Sequence, residues 1–356
     1  MRYACLTTKH HGGFCLYDSD LTDFTAPKTA AGRDLVAEFV DACRKHGLRI
    51  SLYHTLNDWM TRPNATDALE HAAEHYQPFL DYVHAQIREL MTKYGTIDVM
   101  WYDGWWPFDG AGWQAEKLNA TVRELQPGIL VNSRCGLPGD FDTPEGHLAA
   151  SAGLWEACMT LNDHWGFHQG DHNWKSPKAV ASMLRRASAG GGNLLLNVGP
   201  RGDGSIPEET GRVLDRVGAW LQDNGEAIYD TERFDFSPRV RQPGDRGDWC
   251  THGGFTAAGQ NLYLHITSWP GERFVLAGLE CAIEGVEEVG TNEPVAFKQE
   301  GGRLSLQGLA AQRDTTMPVV LRIRTRERPR LYRSGGCPTP QAPHCRYDPV
   351  DPDIAW

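Results

Sequence analysis

Residues 97–106 read IDVMWYDGWW, an apolar run that ends in a carboxylate, a glycine and two tryptophans. Continuous apolar runs of this length predict strands that are covered on both faces. Similar runs occur before and after this one, and segments with helical periodicity separate them. Such an alternation predicts parallel βα units. The predicted strands are Tyr3–Thr7, Arg49–Tyr53, Ile97–Tyr102, Ile129–Asn132, Leu154–Ala157 and Asn193–Val198.

The patterning changes near Tyr229, where helical periodicity stops. Residues Gly253–Arg324 show short alternating runs with Gly-rich turns, which predict an antiparallel β-sandwich. The last residues have no period and are rich in Pro, Arg and Gly. We therefore expect a parallel βα domain at 1–228, a sandwich at 229–327 and a poorly ordered tail at 328–356. The predicted helices are Gly32–His46, Asp67–Tyr94, Gly112–Leu125, Ser176–Ala189 and Pro207–Asn224.

The composition argues against several classes of function and favours one class of ligand. The chain has 356 residues, with 35 Lys and Arg against 46 Asp and Glu, so its net charge is −11. Such an acidic chain is not expected to bind nucleic acid or an anionic membrane, because both need a basic face. Its 9 Cys include no CxxC pair, which excludes the common zinc-ribbon spacings. Its 12 Trp favour a carbohydrate ligand, because indole faces stack on sugar rings.

Polar side chains follow two of the predicted strands. Asp103 comes directly after the apolar run of residues 97–102, and the C-terminal ends of strands carry the catalytic groups of β/α barrels. A carboxylate there, walled by tryptophan, suits a nucleophile at a sugar anomeric carbon, and a turn or helix-capping aspartate is the structural alternative. His10 and His11 follow the first strand. They could bind a polyol, bind a metal or act as a base, or be ordinary loop histidines.

A second carboxyl group is available from two glutamates, Glu145 and Glu156, near the fifth predicted strand. Glycoside hydrolysis needs one carboxyl group as nucleophile or base and another as proton donor to the leaving oxygen. Either glutamate could be that donor. The structural alternative for each is a salt bridge to Arg134 or a solvated surface charge.

Taken together, these segments resemble glycoside hydrolase family 29, the retaining α-L-fucosidases. The similarity extends from residue 6 to residue 231, in the order and spacing of the family. It implies a (β/α)8-like, TIM-type barrel followed by a β-sandwich. Two further strands precede the His-His strand in the family, so we expect an N-terminally incomplete barrel of about six strands. The matching segments are TTKHHGGFCLYDS, GLRISLYHTLNDW, GTIDVMWYDGWW, GDFDTPE, LWEACMTLNDHWGF, GGGNLLLNVGPRGDGSIP and WLQDNGEAIYDT.

The resemblance also implies residue roles. Asp103 falls on the family nucleophile, and Glu145 is the preferred acid/base, with Glu156 as its rival. The implied contacts to the fucose and its pocket come from His10, His11, Tyr53, Trp101 and Arg134.

The implied activity is hydrolysis of terminal α-L-fucosyl linkages by double displacement, with no metal and no organic cofactor. The expected partner is a fucosylated oligosaccharide or glycoconjugate. Two alternatives stay open: a catalytically impaired fragment that only binds fucosylated sugars, and another retaining barrel enzyme such as an α-galactosidase, which the His-His and NLLLNVGP segments disfavour. The sequence assigns neither a compartment nor an oligomeric state.

Overall fold

The computed structural model describes residues 1–60, 73–106, 108–234 and 252–330. Its chain forms two compact units, Met1–Thr143 and Pro144–Trp356. The start of the helix predicted at Asp67–Tyr94 and most of the predicted tail, residues 331–356, lie outside the described residues. Within the described part, none of the helices combines the length and apolar character that crossing a membrane requires.

The first unit is built on a parallel sheet of four strands in the order β1-β2-β3-β4. Its helices follow the strands, and their apolar faces share one core with the sheet. The first helix, α1, begins after Asp34, whose carboxylate accepts a hydrogen bond from the Ala37 amide at 2.9 Å. The elements are β1 (Tyr3–Lys9), α1 (Leu35–Lys45), β2 (Arg49–Thr55), α2 (Ala73–Lys93), β3 (Val99–Asp103), α3 (Ala115–Leu125) and β4 (Leu130–Val131).

Strand β4 is shorter than the predicted Ile129–Asn132, and a side chain explains the difference. The amide group of Asn132 accepts from the Tyr102 backbone N–H at 3.0 Å and donates to the Tyr102 carbonyl at 2.9 Å. Two hydrogen bonds between the Asn132 side chain and the Tyr102 backbone therefore replace the backbone ladder where it stops between β3 and β4. Strand β3 runs one residue further than predicted, because Asp103 is still in register with Thr55 of β2.

The second unit opens with a parallel pair, β5 (Glu156–Thr160) and β6 (Asn193–Asn197), with helices α4 (Pro177–Ala189) and α5 (Glu208–Asn224). Helix α4 has a typical helix start: proline is its first residue and the Ser176 hydroxyl accepts from the Ala179 amide at 3.1 Å. Strand β5 starts later than predicted, since Leu154 is exposed and the pairing with β6 begins at Glu156.

Antiparallel strands complete the second unit. They form two sheets, with orders β10-β13-β8-β7 and β11-β12-β9, and apolar residues of both sheets form one core, as two facing sheets do. The strands are β7 (Gly253–Ala258), β8 (Asn261–Ile266), β9 (Phe274–Ala277), β10 (Ile283–Glu288), β11 (Ala296–Glu300), β12 (Arg303–Gln307) and β13 (Val319–Thr325).

The cysteines of the described residues are free thiols. Cys15, Cys43 and Cys158 are buried, while Cys5 is half-buried. Cys135 and Cys281 are buried as well. Burial raises the pKa of Cys5 and of Cys15 to about 11, so these thiols are protonated at neutral pH.

Candidate active site

Asp103 is the last residue of β3, at the edge where the parallel strands of the first unit end. Its Oδ2 accepts a hydrogen bond from the Tyr53 hydroxyl at 2.6 Å, and its Oδ1 accepts one from Arg134 Nη1 at 2.8 Å. Burial raises the pKa of this carboxyl, but the two hydrogen bonds and the guanidinium charge outweigh burial and hold the pKa below its usual range. Asp103 is therefore an ionised, oriented carboxylate at neutral pH.

A stack of flat groups lies beside this carboxylate. The Tyr53 ring stacks on Trp101 with centroids 5.4 Å apart, and the Arg134 guanidinium lies 4.7 Å from the Trp101 centroid. Arg134 is fixed from behind by Thr143, whose hydroxyl and carbonyl accept from it at 2.8 and 3.0 Å. Only 13% of the Arg134 side chain is exposed, so its positions on Trp101 and Asp103 are well defined.

The two histidines come from the end of β1, where the strand carries a bulge. Thr7 pairs with Tyr53 and Lys9 with His54, so Thr8 is an extra residue in the ladder, and such bulges re-aim the side chains that follow. The exposed His10 ring stacks on Tyr53 at 5.9 Å, with 2° between their planes.

His11 lies deeper, with its Nδ1 2.5 Å from the Thr55 hydroxyl. Burial lowers the pKa of His10 against the opposing charge of Asp103. For His11, burial first and then the neighbouring His10 charge lower the pKa to about 4. Both rings are neutral at pH 7, and a neutral imidazole both donates and accepts hydrogen bonds, as sugar hydroxyls require.

Gly104 makes this arrangement sterically feasible. Its φ is +63°, and a Cβ there would lie 2.3 Å from the Thr55 Oγ1 and 2.8 Å from the His11 Cε1. A side chain at this position would thus occupy the space in which the His11 ring and the Thr55 hydroxyl meet. The glycine after Asp103 is needed for the position of the histidine.

Ligand-capable atoms of His10, His11 and Asp103 all lie within 4.8 Å of one another, a spacing that could hold a metal ion. Both oxygens of Asp103 are, however, already hydrogen-bonded, one of them by a guanidinium cation. A positive side chain on the carboxylate opposes binding of a divalent cation there, so we assign no metal to this cluster.

The first unit thus brings together six of the residues selected from the sequence: His10, His11, Tyr53, Trp101, Asp103 and Arg134. The two glutamates belong to the second unit. Glu145 is exposed in a loop, where its backbone bridges to Cys158 of β5. Glu156 is the first residue of β5 and only 5% exposed, and burial raises its pKa to about 7.

Two residues of the site, Thr55 and Trp59, were not singled out from the sequence, and Trp106 was noted only as one of the two tryptophans after Asp103. Thr55 orients His11, while Trp59 and Trp106 flank the same ring with centroids 5.2 and 5.1 Å away. Both indoles are about half exposed, at 51% and 45%. The available signal was position, because each of these residues ends or follows a predicted strand, as Asp103 does.

An ionised carboxylate at the end of a parallel strand, backed by aromatic rings and flanked by neutral imidazoles, is a site of the glycoside hydrolase type. A sequence model of the family described as Alpha-L-fucosidase matches residues 1–226. The chain therefore belongs to the α-L-fucosidase family, glycoside hydrolase family 29, which confirms the resemblance noted in the sequence.

Individual relatives agree with this assignment. The chain is 30% identical over 312 residues to the plasma alpha-L-fucosidase of Pongo abelii, covering 81% of this chain and 64% of that one. The structure of alpha-L-fucosidase isoenzyme 1 from Paenibacillus thiaminolyticus is similar with a TM-score of 0.82 and 34% identity, over 92% of this chain and 84% of that one.

A third similar structure is described as a trapped covalent intermediate of an alpha-L-fucosidase from Bacteroides thetaiotaomicron, with a TM-score of 0.78 and 25% identity over 91% of this chain and 79% of that one. The chain spans 50% to 64% of the length of the first curated relatives that it matches.

Proposed function

We propose that the protein is a retaining α-L-fucosidase that hydrolyses terminal α-L-fucosyl linkages of oligosaccharides or glycoconjugates. The observation that carries the proposal is the Asp103 carboxylate, ionised and held by Tyr53 and Arg134 at the end of β3. Family membership and the trapped covalent intermediate of the Bacteroides relative support the same chemistry.

In the proposed first step, an Asp103 oxygen forms a bond to the anomeric carbon while the bond to the leaving oxygen breaks. A second carboxyl group gives its proton to that leaving oxygen. In the second step, the same group takes a proton from water, and the hydroxide oxygen displaces Asp103 from the sugar. Two displacements on one carbon return the original anomeric configuration. His10 and His11 bind the sugar hydroxyls beside Asp103.

We propose Glu145 as the acid/base, with Glu156 as the rival. Glu145 is exposed in its loop, so a sugar oxygen and then a water molecule can reach it. Glu156 has the raised pKa that suits a proton donor, at about 7, but it is buried and starts its strand. Catalytic groups of β/α folds lie at the other end of the strands, which favours Glu145.

The proposed architecture is a (β/α)8-like barrel fold at 1–228 with a β-sandwich at 229–327. The parallel strands β1 to β6 of the described residues and the antiparallel sheets of the second unit support it. In the proposed complex, the exposed faces of Trp59 and Trp106 meet the sugar beside His11, because aromatic faces pack on the apolar faces of pyranose rings.

The nucleophile is tested with Asp103→Gly and an aryl α-L-fucoside. We expect the variant to lose nearly all release of the phenol, because the glycosyl-enzyme cannot form. Added azide fits the space of the lost carboxylate and attacks the anomeric carbon directly, which gives the inverted β-fucosyl azide. A wild-type chain that binds fucose without releasing the phenol would contradict the proposed activity and support the binding-only alternative.

The acid/base is tested with Glu145→Ala and the matched variant Glu156→Ala. Loss of the proton donor slows substrates with poor leaving groups most, since good leaving groups need little protonation. Azide then attacks the glycosyl-enzyme, and the product is the retained α-fucosyl azide. Full activity of Glu145→Ala on a poor-leaving-group fucoside, together with retained azide from Glu156→Ala, would transfer the role to Glu156.

A further inference from the structure

A buried ion pair includes Lys9, the residue that immediately precedes the two histidines. Lys9 ends β1, and its Nζ donates to Asp58 Oδ2 at 3.2 Å and to Gln86 Oε1 of α2 at 2.8 Å. The side chains of Lys9 and Asp58 are 0% and 1% exposed. Burial of two charged groups costs solvation energy, and apolar residues of similar size often stabilise a core better. The mechanism proposed above leaves this pair without a role.

Asp58 links the loop after β2 to the loop that carries the histidines. Its Oδ1 accepts from the Met60 amide at 3.0 Å, and a Cβ at Gly13 would lie 2.7 Å from that same oxygen. Between these contacts, the Trp59 amide donates to the His11 carbonyl at 2.7 Å. The position of the Asp58 carboxylate therefore fixes how closely the two loops approach.

The same loop continues to β3. The Asn57 side chain accepts from the Asp58 amide at 3.0 Å and donates to the Trp106 carbonyl at 3.2 Å. The Leu56 amide donates to the Asp103 carbonyl at 2.8 Å. Residues 56–59, the segment that contains Asp58, are thus hydrogen-bonded to the backbones of His11, Trp106 and Asp103.

We propose that Lys9 and Asp58 are positioning residues of the active site, which set the places of His11 and Trp59 without touching the sugar. The inference rests on the proposed fucosidase function, because it assumes that the side chains of His11 and Trp59 contact the substrate. Helix α2 supports the pair from behind: Gln86 accepts from Lys9, and the Lys9 Nζ lies 5.8 Å from the Tyr82 ring centroid.

The test is the double variant Lys9→Met/Asp58→Asn. Each single change leaves one buried charge without its partner, whereas the double change removes both charges and keeps the volume and the acceptor for the Met60 amide. It also removes the Lys9 donor to Gln86 Oε1, a cost that the removal of two buried charges offsets. We expect a chain with native circular dichroism and an unfolding temperature close to that of the wild type. Its kcat/KM on an aryl α-L-fucoside should fall about 10- to 100-fold, as misplacement by up to ~1 Å does.

A double change at Arg322 and Glu287 is the matched control. These side chains form an ion pair at 2.8 Å in the antiparallel part of the second unit, and each is 20% exposed. Arg322→Gln/Glu287→Gln should leave kcat/KM unchanged. A well-folded Lys9→Met/Asp58→Asn variant whose kcat/KM stays within about threefold of the wild type overturns the proposal.

A second readout does not depend on turnover. The imidazole signals of His11 in ¹H–¹⁵N spectra, assigned by their loss in His11→Gln, should shift in the double variant and stay in place in the control. Unchanged signals overturn the positioning role even if the wild type proves inactive, whereas shifted signals with an inactive wild type count against the proposed function alone. Should the double variant not fold, Asp58→Asn, which preserves shape, is measured in the same two ways.

Discussion

Gly104→Ala tests the steric basis of the site. The alanine Cβ would lie 2.3 Å from the Thr55 Oγ1 and 2.8 Å from the His11 Cε1, so both groups must retreat by about 1 Å to reach ordinary contact. Left-handed alanine costs about 1–2 kcal/mol, and overpacking adds about 1–3 kcal/mol. We expect a loss of about 2–5 kcal/mol in unfolding free energy and, on the proposed reaction, about 100-fold in kcat/KM, because His11 is displaced.

The assays are thermal unfolding and hydrolysis of an aryl α-L-fucoside below the unfolding temperature. Gly12→Ala is the matched control, since Gly12 adjoins His11 and a Cβ there would have no neighbour within 4 Å. The control should keep both stability and activity. A Gly104→Ala variant as stable and active as Gly12→Ala would refute the argument that this glycine makes room for the histidine.

Two further predictions concern pH. Tyr53→Phe removes a hydrogen bond that holds down the pKa of Asp103 against burial, so the acid limb of the kcat/KM profile should move to higher pH; an unmoved limb would contradict this. Glu156 has its pKa raised from 4.5 to about 7 by burial, so between these values the folded chain binds a proton that the unfolded chain has released. Wild-type stability should therefore fall by about 3 kcal/mol as pH rises through this window, and Glu156→Gln should remove that slope in unfolding temperature against pH.

The sequence predicts which strands exist better than it predicts the residues at which they end. Apolar runs predict buried strands, and each predicted strand of the first 200 residues is present. Their ends depend on side chains that replace the backbone ladder, as Asn132 does beside Tyr102, and on register, which keeps Asp103 inside β3. The pattern of apolar and polar residues along the sequence reveals neither these side-chain hydrogen bonds nor the register between strands.

The candidate site also contains residues that the sequence predicts and residues that it does not. Asp103, His10 and His11 could be selected because they follow predicted strands and carry reactive groups. The ion pair of Lys9 and Asp58 could not, because a lysine and an aspartate beside polar neighbours look like solvated loop residues. They are buried in the structure next to the bulge in β1 and to Gln86 of α2, and both features arise from tertiary structure.

The buried thiols give the protein internal reporters of its own motions. Alkylating reagents attack the thiolate, and a thiol such as Cys15, with its pKa raised to about 11 by burial, reacts when local opening exposes it to water. Cys43 and Cys135 are buried free thiols of the first unit, and Cys158 and Cys281 are buried free thiols of the second, so their alkylation also requires local opening. Timed alkylation followed by peptide mass mapping would rank the opening rates of the two units in the unmodified chain, with no label introduced.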